Sequence, residues 1–132
     1  MRATPADVET ICLGLPEVEL GVSWGDRPTY KVPRGPKGKG FVLYRAPHRT
    51  AVDPATGLEY DDLLVIRTAN ESDKLALVAS GPYFTIDHFN GYNAVLVQLS
   101  RLGEISVEEL REVITEAWRA VGPARLTRDF DG

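Results

Sequence analysis

The amino-acid order predicts an α+β domain, an antiparallel sheet with helices packed on one face, with elements in the order α-β-β-β-β-α-β-β-α. Three observations carry this. Residues 4–16 and 106–122 have helical spacing and clear end signals, and they bracket the chain. Between them lie short runs rich in β-branched and aromatic residues, separated by turns bearing glycine and proline. One further helical segment interrupts those runs, and three helices are too few to cover both faces of a sheet.

In order, Thr4-Pro5-Ala6-Asp7 supplies a capping hydroxyl, a proline at the first helical position and a carboxylate near the free amides. Val8, Ile11, Cys12 and Leu15 then share one buried stripe, and Pro16 ends the helix. Val18, Leu20, Val22 and Trp24 alternate with Glu17, Glu19, Gly21 and Ser23, the period of a strand with one wet face. Gly25-Asp26-Arg27-Pro28 reads as a turn before a second strand at Tyr30 and Val32, and Phe41 to Tyr44 is a third. Residues 46–61 carry Pro47, Pro54 and Gly57 with little periodicity and are expected to form a mobile loop. The run 62–68 suits a strand buried on both faces. Asn70 with Asp73 caps a short helix whose inner stripe is predicted at Leu75, Val78 and Ala79. Phe84 and Ile86 predict a fifth strand and Ala94 to Leu99 a sixth, joined through an Asn90-Gly91 turn. Ser106-Val107-Glu108-Glu109 is a capping box, and Val107, Leu110, Ile114, Ala117, Trp118 and Val121 form the apolar face of the last helix, which closes at Gly122-Pro123 before a polar tail.

The 132 residues, 43% hydrophobic and 26% charged, are expected to form one domain, 1–132, with a core that needs neither disulfide nor metal. The single Cys12 makes no internal disulfide, and its place on the first helix's stripe makes it a core residue. The amino terminus leads into a helix rather than an apolar signal core, and no run reaches membrane-spanning length. A cytoplasmic location without membrane contact is expected.

Charge is distributed unevenly. Arg27, Lys31, Arg34, Lys37, Lys39, Arg45 and Arg49 lie in a stretch that contains no Asp or Glu, whereas the rest of the chain sets eight Lys and Arg against nineteen Asp and Glu. A basic hairpin on an acidic body predicts contact with phosphates, which Lys and Arg bind with release of counterions. Lys31, Arg34, Lys37, Lys39, Arg45 and Arg49 are the candidate nucleic-acid contacts, and Tyr30 and Tyr44 could add stacking to bases. Exposed charge on a hairpin also serves solubility and blunts an edge strand, and a pI near 5.2 is low for a nucleic-acid domain. Gly35 and Gly40 have the gap of a phosphate-cradling loop, but Phe41-Val42 stands where that motif needs Lys and Ser or Thr.

His48 and His88 lack a paired ligand spacing, so neither a metal nor a cofactor is expected. Asp53, Glu59, Asp61 and Asp62 suit a solvated acidic loop better than a hard-cation site. Asp87 and His88, neighbours on a predicted strand, would point to opposite faces and cannot orient one another as an acid–base pair. With no nucleophile, base and orienting group in evidence, enzyme activity is not expected. Trp24 and Trp118 complete apolar stripes, whereas Tyr92 follows a turn; Trp24, Asn90 and Tyr92 are therefore candidate residues of a pocket for a small ligand or partner.

Three patches resemble the MmcQ/YjbR-like proteins: 15–19 with Ser23-Trp24-Gly25-Asp26-Arg27-Pro28-Thr29-Tyr30-Lys31-Val32, Asp87-His88-Phe89-Asn90-Gly91-Tyr92-Asn93-Ala94-Val95-Leu96-Val97, and Glu116-Ala117-Trp118-Arg119-Ala120-Val121-Gly122-Pro123-Ala124-Arg125-Leu126. The resemblance implies a small CyaY-like (frataxin-like) α+β fold and DNA binding by a double wing of hairpins. One wing would be 31–44 and the other would turn at Asn90-Gly91; residues 83–99 hold Asp87 and no Lys or Arg, so the first is better suited to phosphate. The reading is a non-enzymatic protein that binds DNA or another polyanion, with a ligand module or an acidic protein partner as the alternative.

Overall fold

The computed structural model describes residues 1–23, 27–128 and 130. Its elements are α1 (Pro5–Gly14), β1 (Glu19–Ser23), β2 (Arg27–Val32), β3 (Lys39–Arg45), β4 (Leu63–Arg67), α2 (Glu71–Ser80), a 3-10 turn (Asp87–Phe89), β5 (Ala94–Gln98), a second 3-10 turn (Leu99–Glu104), α3 (Val107–Val121) and α4 (Ala124–Thr127). The strands form one antiparallel sheet in the order β1-β2-β3-β4-β5. The α+β class follows as predicted.

End signals account for the helices. The Asp7 carboxylate accepts the amide and hydroxyl of Thr4 at 2.8 and 3.0 Å, and Asn70 Oδ1 and Ser106 Oγ accept the amides of Asp73 and Glu109 at the starts of α2 and α3. Val8, Ile11, Cys12 and Leu15 are buried, and burial pushes the Cys12 thiol far above its usual range, so it is unreactive core. Leu110, Ile114, Ala117 and Trp118 of α3 pack on β3, β4 and α1.

The sheet separates two clusters of buried side chains. On the helical side, Val32, Val42, Leu64, Ile66, Val95 and Val97 meet α1 and α3. On the other, Leu43, Leu63, Val65, Ala94 and Leu96 are covered by Ala51 and Phe89, with Tyr60, Phe84, Ile86 and Tyr92 at the margin. The unbroken apolar runs of β4 and β5 are thus buried on both faces, as such runs predict.

Five expectations need correction. The predicted fifth strand is reduced to one bridge, Phe84 to Leu96; the chain then coils into the turn Asp87–Phe89, so Asp87 and His88 do not lie on a strand. Leu20 and Val22 alternate correctly but are 52% and 57% exposed, because β1 is an edge strand and the buried side chains stop at Val18, just before it begins. The stripe on α2 is out of phase: Leu75 is 55% exposed and Ala79 is exposed, while Lys74 is buried. Residues 46–61, expected to be mobile, fold back on themselves, with Asp53 donating its amide to Leu58 and Tyr60 to Ala51, and Ala51 packs into the second cluster. The tail after Pro123 begins with α4. Trp24 and the Gly25-Asp26 part of the predicted turn lie outside the described residues.

Candidate functional site

The six predicted nucleic-acid contacts divide into two groups. Lys39 and Arg45 open and close β3, so the tip and the base of the hairpin are separated by six residue steps, roughly 20 Å at strand spacing. They do not form one continuous patch.

At the tip, β1 restrains the hairpin. Lys31 lies opposite Glu19 across the β1–β2 pair, and Glu19 Oε1 accepts the Gly35 amide at 2.7 Å. Arg34 Nε donates to the Val18 carbonyl at 3.4 Å. Arg125 of α4 holds Glu17 through two bonds of 3.0 and 3.3 Å, and that contact, with Arg34 further off, keeps the Glu17 carboxyl below its usual range. The glycines that mimic a phosphate loop serve this turn instead: Gly35 has φ +98°, and a Cβ at Gly40 would sit 2.6 Å from Thr29 Cγ2. Lys37 and Lys39 remain exposed, and none of the ion pairs among the described residues includes them. With Val32, Pro33, Val121, Pro123 and Arg125 they line a groove of about 420 Å³.

At the base, Arg45 is the principal correction. Pointing to the face opposite α1 and α3, it is only 7% exposed and is no surface contact for a phosphate backbone. Arg49 nearby is exposed. The Arg45 guanidinium donates to Thr50 Oγ1 at 2.7 Å and lies 5.7 Å from the Phe89 ring centre. Burial draws its pKa down. Tyr30 and Tyr44 are also unsuited to stacking on bases, for they face the helical side and share a 3.2 Å hydroxyl contact, with Tyr30 buried.

Of the pocket candidates, Tyr92 lines a cleft, Asn90 is an exposed turn residue whose amide donates to Asp87, and Trp24 lies outside the described residues. Asp53 accepts the Ala55 amide and Asp62 the Ser100 amide; among the described residues no three His, Cys, Asp or Glu converge as metal ligands. Among the described residues no helix is long and apolar enough to cross a membrane.

Lys74 was invisible to the periodicity argument that chose Leu75. Its ammonium donates to the main-chain carbonyls of Phe89 and Tyr92 at 2.7 and 2.8 Å, fixing the turn that carries both rings. The usable signal was its spacing of three and four from Leu77 and Val78, which pack on the core.

Comparison with known proteins agrees with this architecture. Uncharacterised proteins of Mycobacterium tuberculosis and Mycobacterium bovis are 44% identical over 84 residues, which is 62% of this chain and 60% of theirs. The match therefore spans less than two thirds of the length of those relatives. The crystal structure of a Deinococcus radiodurans protein with a DUF419 domain aligns over 92% of this chain and 79% of its own, with a TM-score of 0.60 and 20% identity, a likeness of fold. The YjbR family model matches residues 13–120, and the chain belongs to the YjbR family.

Proposed function

We propose that this protein is a non-catalytic, cytoplasmic binding module that contacts nucleic acid, DNA in the first instance, through the tip of the β2–β3 hairpin. One observation carries the reading: Lys37 and Lys39 are exposed cations, unpaired among the described residues, on the wall of an open groove. Arg34 adds a third exposed charge at the same tip. The contact is local, since Arg45 is buried, the candidate second wing is no hairpin of two strands, and the net charge of −4 opposes a long duplex. Cys12 is buried, and the hydroxyl in contact with a histidine, Thr50 at His48, has the Arg45 guanidinium beside it instead of a carboxylate, so neither is arranged as an activated nucleophile.

Titrating fluorescent duplex and single-stranded DNA at two salt concentrations tests this. Two to three phosphate contacts predict binding that weakens with a log–log salt slope of about −2 to −3 on duplex. Changing Arg34, Lys37 and Lys39 together to Ala should remove most of that slope. Absence of salt-sensitive binding by the wild type, or an unchanged slope in the triple variant, rejects the reading. A tip-dependent affinity for heparin without affinity for DNA would favour an acidic protein partner.

A further inference from the structure

The second sheet face holds a feature that tip binding does not use. Arg27, Arg45 and Arg67 project from β2, β3 and β4 toward it, and each has a buried guanidinium nitrogen, Nε of Arg27 and Arg67 and Nη1 of Arg45, with no hydrogen-bond partner among the described residues. Among the described residues no carboxylate contact offsets the burial of Arg45, whose hydrogen bond there is to the neutral Thr50 hydroxyl. A buried cation without a counter-charge is costly, and an anion beside it removes that cost.

The residues around Arg45 form a cleft. Arg45, His48, His88, Phe89 and Tyr92 line about 500 Å³, in the range of small-molecule sites and far larger than the roughly 30 Å³ share of one water. Thr50 also sets the state of His48. Its amide donates to His48 Nδ1 at 3.2 Å and its hydroxyl lies 2.8 Å from the same nitrogen, so in the neutral ring the proton sits on Nε2 and is available to an acceptor. The His48 and His88 rings are 6.4 Å apart. The remaining wall is aromatic: Phe89 and Tyr92 meet edge to face at 5.1 Å, and the Arg67 guanidinium lies 5.1 Å from the Tyr92 ring centre. The cleft thus sets groups suited to an oxyanion, Arg45 and the histidines, beside rings suited to a flat apolar group.

We propose that this cleft binds a small phosphate monoester carried on a planar ring, of the nucleoside monophosphate class. The phosphate lies between Arg45, His48 and His88, and the ring lies against Tyr92 and Phe89. The site is separate from the hairpin tip and does not depend on nucleic-acid binding there.

Calorimetric titration of the full chain with adenosine monophosphate, adenosine and inorganic phosphate tests both halves of the recognition. The monophosphate should bind saturably, with adenosine and inorganic phosphate each at least tenfold weaker. Arg45→Met should weaken monophosphate binding at least tenfold and Tyr92→Leu severalfold, while the Arg34, Lys37 and Lys39 triple alanine variant leaves it unchanged. Should Arg45→Met not fold, as judged by circular dichroism, His88→Ala takes its place with the same expected direction. The proposal is overturned if no saturable binding occurs up to millimolar monophosphate, if adenosine or phosphate alone binds equally well, if the cleft variants that fold bind like wild type, or if the tip variant abolishes binding.

Discussion

Trp118→Ala should lower stability by about 3–5 kcal/mol, the usual range for deleting a fully buried indole, and depress the melting temperature by on the order of 10–20 °C. The side chain is fully buried on α3, its Nε1–H donates to the Pro16 carbonyl at 3.0 Å, and the Phe130 ring meets it at 4.8 Å. The loss therefore combines a cavity with an orphaned carbonyl at the end of α1. Trp118→Phe separates the two, retaining most of the volume and costing about 1–3 kcal/mol for the unmet acceptor. Denaturant melts followed by far-ultraviolet circular dichroism measure both. A Trp118→Ala protein within about 1 kcal/mol of wild type would mean that this core is far more plastic than cores in general.

Lys74→Met should cost roughly 2–4 kcal/mol, because two main-chain carbonyls in a buried turn lose a charged donor that an apolar chain of similar length cannot replace. The effect should be local as well as global. Amide hydrogen exchange at 86–93 should accelerate more than in β4 or β5, since α2 then no longer ties the turn down. Wild-type stability in this variant would show that water serves those carbonyls in place of the ammonium.

Lys74 and Arg45 also mark where sequence reasoning reaches its limit. Helix ends were legible because Thr4, Asn70 and Ser106 act within three residues of themselves. The double-faced burial of β4 was legible because no polar residue interrupts Leu63-Leu64-Val65-Ile66. The phase of α2 was not, since the long aliphatic stem of a lysine lets it occupy a buried position when carbonyls wait at its end, and those carbonyls come from fifteen and eighteen residues downstream. Arg45 was read as a surface cation for a related reason. Its side of β3 is covered by residues from 46–61 and 83–93, and neither segment has a period that announces a buried face. Phe84 and Ile86 misled in the opposite direction: two alternating apolar residues suffice for a bridge, but the turn at Asp87 ends the pairing before a strand can form.

The order of strands in the sheet also bears on how the chain assembles. Every strand pairs with its neighbour in sequence, so β1, β2 and β3 can zip as a meander at little loop-closure cost. The ends of the chain are joined differently: Ala3 donates to Ile105, Val107 to Met1 and Trp118 to Pro16, ring closures of about a hundred residues. Contacts of such span are expected to form late, after the meander has shortened the effective loop. Damage at the α1–α3 seam should then appear chiefly as faster unfolding, with the rate of folding little changed.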